Sequence, residues 1–143
     1  LVHGDNGLDE ISISGETLVV EVREGRCSAP FVITPEMFDL PRHPFSTVVG
    51  GNPARNADIT RYVLTGTPGA PLDIVLLNAG AALYIARKTD SIKEGVELAR
   101  ESVASGRAWD KMAAFVEFTR TWQADNAAGG AQADVVPRAP GAG

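Results

Sequence analysis

The chain has 143 residues, 44% of them hydrophobic and 22% charged, with a formal net charge of −5 at neutral pH. This is a soluble globular composition, long enough for one domain with a sizeable core and too short for two of ordinary size. The ten arginines and three lysines are scattered without a basic run, which argues against a nucleic-acid partner, because phosphate contacts need a basic face.

Taken in chain order, Leu1-Val2 reads as the tail of an apolar strand. A buried parallel strand needs neighbours beside it and helices on both faces. Few other segments here can provide that setting, so the sequence reads as the back part of a larger protein. The octapeptide His3-Gly4-Asp5-Asn6-Gly7-Leu8-Asp9-Glu10 then sets two adjacent carboxylates on a glycine-flanked loop, and Ile11 to Gly15 is expected to resume extended structure. Thr17 to Val22 is rich in β-branched residues and reads as a strand. Glu24-Gly25 supplies a turn and Arg26 to Ile33 a second strand, giving a β-hairpin.

Thr34-Pro35-Glu36 has the form of a helix start, and Pro41 and Pro44 keep that helix short. After a flexible Gly50-Gly51-Asn52 loop, a helix is predicted from Pro53 to Leu64, ending at a left-handed Gly66, with Ile59, Tyr62 and Val63 on its buried side. The next helix, Pro71 to Arg87, is apolar almost all round and is expected to be central and buried. Asn78 inside it needs a partner, since a buried unpaired amide costs about 1–3 kcal/mol; a structural tie to a neighbouring loop is the better reading than a ligand role. Ser91 and Glu94 form a capping box for a helix whose apolar positions are Ile92, Val96, Leu98, Ala99 and Val103. A last helix is predicted from Ala108 to Trp122, with Trp109, Met112, Ala113, Phe115 and Val116 as core. From Gln123 to Gly143 the composition turns to Ala, Gly, Asp and Pro, which reads as a disordered tail after a domain spanning 1–122.

Few residues offer chemistry. A single cysteine, Cys27, excludes an internal disulfide and reads as a small strand residue, since no histidine lies near it in sequence. No apolar stretch is long enough to span a bilayer and no basic-then-apolar leader opens the chain, so a cytoplasmic location is expected. There is no Ser-His-Asp arrangement, Cys-x-x-Cys pair or P-loop. His43, between two prolines, reads as a surface residue, and His3 as a structural hydrogen-bond partner of the nearby loop. Asp9 and Glu10 remain. Paired acidic residues in a loop after a strand suit magnesium, a hard cation that prefers oxygen ligands, but the same pattern also describes a solvated turn.

Several motifs in order resolve that choice. His3-Gly4 through Glu10 with Ile11-Ser12 resembles the acidic metal-binding motif of the anthranilate phosphoribosyltransferase family. The likeness continues through Thr34-Pro35-Glu36-Met37-Phe38, Gly50-Gly51-Asn52, Asn56-Ala57 and Leu64-Thr65-Gly66. It then takes in Val75-Leu76-Leu77-Asn78-Ala79, Ala82-Leu83-Tyr84, Glu94-Gly95 and Ser105-Gly106-Arg107-Ala108. The resemblance implies an α/β fold: the C-terminal portion of the phosphoribosyltransferase and nucleoside phosphorylase-like α/β domain, with a β-hairpin and a helical bundle. It implies transfer of a phosphoribosyl group from phosphoribosyl pyrophosphate to anthranilate in tryptophan biosynthesis, with Mg2+ as cofactor and a homodimer formed through a region absent here.

By the same resemblance Asp9 and Glu10 help to bind magnesium, and Asn6 occupies a place often acidic in the family. The family's glycine-rich pyrophosphate loop, its remaining phosphoribosyl contacts and its anthranilate-binding arginine would all lie upstream of Leu1. This chain by itself is therefore expected to be inactive. A non-enzymatic nucleic-acid-binding relative of the same fold is the alternative that the net charge of −5 counts against. A pyrimidine nucleoside phosphorylase relative is the one that Gly7-Leu8-Asp9-Glu10 counts against.

Overall fold

The computed structural model describes residues Leu1 to Ala128, with side chains as far as Trp122. It divides into two compact units, Leu1–Trp109 and the chain from Asp110 onward. The first unit holds a three-stranded antiparallel sheet of β1 (Val2–Gly4), β2 (Thr17–Val19) and β5 (Phe31–Ile33), in the order β1-β2-β5. The register pairs His3 with Leu18 and Leu18 with Val32, so these three residues share one face. Thr17, Val19 and Ile33 turn inward and are buried, as the two-residue period of a strand requires.

Two strand expectations change. The neighbour of Leu1-Val2 is β2, in the same chain and antiparallel. The long hairpin also breaks in two: β2 and β5 form its base, and β3 (Val22–Arg23) with β4 (Arg26–Cys27) form a separate two-stranded tip beyond Pro30. Proline has no N–H to give a ladder, which ends the second strand there. The tip is tied back by Tyr84, whose hydroxyl donates to Glu21 Oε1 at 2.9 Å and accepts from the Arg23 guanidinium at 2.7 Å. Those two partners hold the Glu21 carboxyl below its ordinary range, Tyr84 more than Arg23.

The expected helix after Thr34 is a single 3-10 turn, Pro35–Phe38. Thr34 occupies the N-cap position but makes no capping bond with its side chain. Its hydroxyl instead joins Arg42 on Glu36, and the Arg42 guanidinium, followed by Thr34, lowers the Glu36 carboxyl to about 2. Helix α1 spans Pro53–Leu64, the predicted bounds, with Asn52 accepting from Arg55 N at 2.9 Å and Gly66 at φ +76°. Its inward face is narrower than predicted: Val63 is buried, but Tyr62 is 59% exposed.

Helix α2 (Ala70–Ile85) is the hub of the unit. Leu72, Leu76, Leu77 and Gly80 are buried, yet Val75 and Ile85 are exposed, so it is not enclosed on every side. Val75 faces an apolar groove of about 630 Å3 shared with Leu64, Leu98 and Ala108. Helix α3 (Ile92–Ala104) packs on α2 and buries Val96 and Ala99. Ser91 caps it by accepting from Glu94 N at 3.2 Å, while the Glu94 carboxylate reaches one residue further back than a capping box requires and accepts from Asp90 N at 3.0 Å.

Helix α4 (Arg107–Ala128) runs past the expected end at Trp122, because Gln123 to Ala128 still favours helix locally. The rest of the expected tail, 129–143, lies outside the described residues. The aromatic residues read as core are not enclosed: Trp109 is 40% and Phe115 60% exposed. Phe118 stacks on Trp122 with ring centroids 6.5 Å apart.

The crossing of α2 and α3 depends on two glycines. A Cβ on Gly80 would lie 2.6 Å from the backbone nitrogen of Val96, and a Cβ on Gly95 would fall on the carbonyl oxygen of Gly80. Backbone cannot step aside as a flexible side chain can. Alanine is the better helix former by about 1 kcal/mol, but overpacking costs about 1–3 kcal/mol and more when the obstacle is main chain. Gly80→Ala and Gly95→Ala should therefore each destabilise the chain, lowering the urea midpoint. A midpoint equal to or above that of the parent for both variants would show that the helices can separate freely.

Candidate functional site

The acidic loop leaves β1 and returns to β2 as a wide excursion between two antiparallel neighbours. Asp5 N donates to Glu16 O at 2.9 Å and closes its base. Gly4 N donates to Leu8 O at 2.9 Å and Gly7 N to Gly4 O at 3.0 Å, with Gly7 at φ +84°, a conformation that an L side chain resists. Asp9 and Glu10 follow and are both exposed. Among the described residues neither carboxylate is held in a hydrogen bond or ion pair.

The segment after them is not the extended strand expected. Ile11, Ser12 and Ile13 are 2%, 0% and 0% exposed but belong to no sheet. Buried irregular backbone must find partners outside a ladder, and here side chains provide most of them. Asn78 Oδ1 accepts from Ile11 N at 3.0 Å, and Asn78 Nδ2 donates to Ile11 O at 2.9 Å. Thr17 Oγ1 accepts from Ser12 N at 2.9 Å, Ser12 Oγ accepts from Ser14 N at 3.1 Å, and His43 N donates to Ile13 O at 3.0 Å. Asn78 thus performs the predicted task of tying α2 to a loop, with a further bond to Ile74 O at 3.0 Å inside its own helix.

The remaining candidates fall elsewhere. His3 stands exposed on β1, and among the described residues its ring makes no hydrogen bond to the loop, so the structural role expected for it is not seen. His43 is not a surface residue. Its ring nitrogen Nε2 meets Asp73 Oδ2 on α2 at 2.7 Å, with both side chains largely buried. Sequence spacing gives no sign of this pair, which joins residues thirty positions apart. Gly50-Gly51 is a turn pinned by Asn56, whose Oδ1 accepts from Gly51 N at 2.7 Å and whose Nδ2 donates to Gly51 O at 3.1 Å. Cys27 is a free, exposed residue of β4.

As a metal centre the loop is partial. Among the described residues no three His, Cys, Asp or Glu side chains gather closely enough to hold an ion. Two free carboxylates on one exposed turn still fit magnesium in particular, which keeps several waters and is held by one or two carboxylates plus substrate phosphate. They fit zinc poorly, since it takes three or four protein ligands, mostly nitrogen or sulfur.

Comparison with known proteins decides the family. Residues 1–109 match the family model described as glycosyl transferase family, a/b domain. The chain belongs to this glycosyl transferase family. It is 47% identical over 120 residues to anthranilate phosphoribosyltransferase of Methanobrevibacter smithii, covering 84% of this chain and 36% of that protein. In the same family, the crystal structure of anthranilate phosphoribosyltransferase from Thermus thermophilus superposes with a TM-score of 0.72 at 45% identity, covering 83% of this chain and 35% of the other. The enzyme from Saccharomyces cerevisiae in complex with PRPP and Mg superposes with a TM-score of 0.70 at 31% identity, covering 81% and 33%. The chain spans about a third of the length of these relatives.

The Asn78 clamp gives a direct test. Asn78→Ala would leave both polar groups of the buried Ile11 backbone unpaired, at about 1–3 kcal/mol each. A stability loss of about 2 kcal/mol or more in urea unfolding is expected. Asn78→Asp keeps the acceptor but faces a carboxylate to the carbonyls of Ile11 and Ile74, and should lose at least as much. Equal stability of both variants to the parent would refute the clamp.

Proposed function

We propose that the chain forms the metal-binding wall of an anthranilate phosphoribosyltransferase, which transfers the phosphoribosyl group of phosphoribosyl pyrophosphate to the amine of anthranilate in tryptophan biosynthesis. The observation that carries this reading is the free Asp9-Glu10 pair on a loop fixed from behind by Asn78, in a chain nearly half identical to an enzyme of that name. The yeast relative solved with PRPP and Mg supports both the substrate and the ion.

The chemistry asks little more of these residues than placement. Pyrophosphate departs from the ribose carbon with high negative charge, and bound magnesium would neutralise that charge. Asp9 and Glu10 would hold the ion through carboxylate oxygens. They attack nothing and move no proton, and no catalytic residue is assigned within this chain. Substrate contacts, and the homodimer contact that the family resemblance implies, would be made by parts of the enzyme outside these residues. Among the described residues no helix is long and apolar enough to cross a membrane, and we place the enzyme in the cytoplasm.

In a complete enzyme of the family carrying this loop, Asp9→Asn and Glu10→Gln should each raise the magnesium needed for half-maximal rate. The double variant should lose turnover by on the order of a hundredfold, the usual scale for removing a group that stabilises developing charge. An unchanged magnesium titration and an unchanged rate would remove both residues from the site. The chain as it stands should show no consumption of anthranilate with phosphoribosyl pyrophosphate and magnesium, followed by anthranilate fluorescence. Sustained turnover with it as the only protein would mean that the active site is complete within these residues.

A further inference from the structure

The two carboxylates stand between two anchors. On one side, both polar groups of Ile11 are bonded to Asn78. On the other, both polar groups of the Leu8 backbone are bonded: its carbonyl accepts from Gly4 N at 2.9 Å, and its N–H donates to Asn6 Oδ1 at 3.4 Å. Only Asp9 and Glu10 lie between these fixed points. Asn6 is itself clasped, with Nδ2 donating to Ser12 Oγ at 3.2 Å and Ser14 Oγ at 2.5 Å. Ser12 is fully buried and shares a bond with Ser14 at 3.0 Å. The Asn6 amide also lies over Gly4, where a Cβ would come within 3.0 Å of its oxygen.

We infer that Asn6 is a positioning residue for the metal-binding pair: its amide bridges the outgoing limb of the loop to the buried Ser12-Ser14 limb, and so sets the span across which Asp9 and Glu10 present their carboxylates. The inference rests on the magnesium reading above. Asn6 touches no metal in this role and contributes no charge. Its effect passes through Leu8 and through the Ser12-Ser14 hydroxyls, the only groups that its side chain bonds among the described residues. Outer groups that orient ligands typically change metal affinity about 10–100-fold when removed.

The test uses the chain itself, labelled with nitrogen-15 and titrated with Mn2+ as the probe, read by paramagnetic broadening of the Glu10 and Ile11 amides. Asn6→Ala should need about tenfold more Mn2+ for half-broadening and should exchange the Leu8 amide hydrogen faster in the metal-free state. Its thermal midpoint should stay close to the parent's, because Asn6 is exposed. Asn6→Asp can accept from both serine hydroxyls and from Leu8 N–H, so it should return Leu8 amide exchange to the parental rate, a readout that the added charge does not supply by attracting the ion. An Asn6→Ala titration that overlays the parent's, while Asp9→Asn with Glu10→Gln abolishes the broadening, overturns the role of Asn6 and leaves the metal site standing. Broadening that survives the double carboxylate variant overturns the metal site, and the role of Asn6 with it.

Discussion

The structure depends on how a segment without a sheet, the buried Ile11, Ser12 and Ile13 with the half-buried Ser14, satisfies its backbone. A strand would settle this with its neighbours, but here the chain has already left β1 and has not yet joined β2. The N–H and carbonyl of Ile11, the N–H of Ser12, the carbonyl of Ile13 and the N–H of Ser14 each have a partner. Those partners come from α2, from β2, from the loop before α1 and from the segment itself. Each lost bond would leave a buried polar group at about 1–3 kcal/mol, so the segment holds four parts of the fold to one another. It also explains why a loop with two unpaired carboxylates stays in one place: the residue that follows them cannot move without breaking both bonds to Asn78.

Helix α2 carries this load because it is itself fixed. Its Leu76 and Leu77 are in the core, its Asp73 meets His43, and its Gly80 lies against Gly95 of α3. His43 belongs to the same arrangement from the other side, since its backbone reaches Ile13 while its ring reaches Asp73. One residue thus ties the same buried segment to the same helix by a second route. The close glycine contact removes side-chain bulk from the crossing and lets α3 approach α2 on the side roughly opposite the one that bears Asn78, since residues two apart lie about 200° round a helix. Packing between helices and hydrogen bonding to the loop are therefore one constraint: a shift of α2 to accommodate a larger residue at Gly80 would move Asn78 relative to Ile11.

What can be read in the sequence follows the range of the interaction that decides it. The bounds of α1 come from local signals, Asn52-Pro53 at one end and Thr65-Gly66 at the other. The Ser91 cap and the inward residues of α3 are local as well. Asn78 is legible for a different reason: a polar residue in an apolar helix announces a need for a partner, although the sequence does not say which. The partner itself, sixty-seven residues away, leaves no mark in periodicity. His43 reads as surface because two prolines flank it, and nothing local reveals Asp73. Ile11 to Gly15 reads as a strand because alternation of isoleucine and serine mimics the two-residue period, whereas here the serine hydroxyls pair within the loop instead of facing water.

The same division by range bears on the site. The acidic pair proposed to bind metal is short-range and is visible as adjacent letters, whereas its rigidity is long-range and is not. Two carboxylates on a free loop would bind a hard cation weakly, since each must be ordered as the ion arrives and that ordering costs about 1–2 kcal/mol per residue of backbone entropy. With Leu8 and Ile11 already fixed, most of that cost is met during folding and does not have to come from the binding step. A loop of this kind need not supply a full set of ligands. It can hold part of the coordination shell in a set place and leave the remaining positions to water and substrate phosphate, which is what an ion that travels with a pyrophosphate requires.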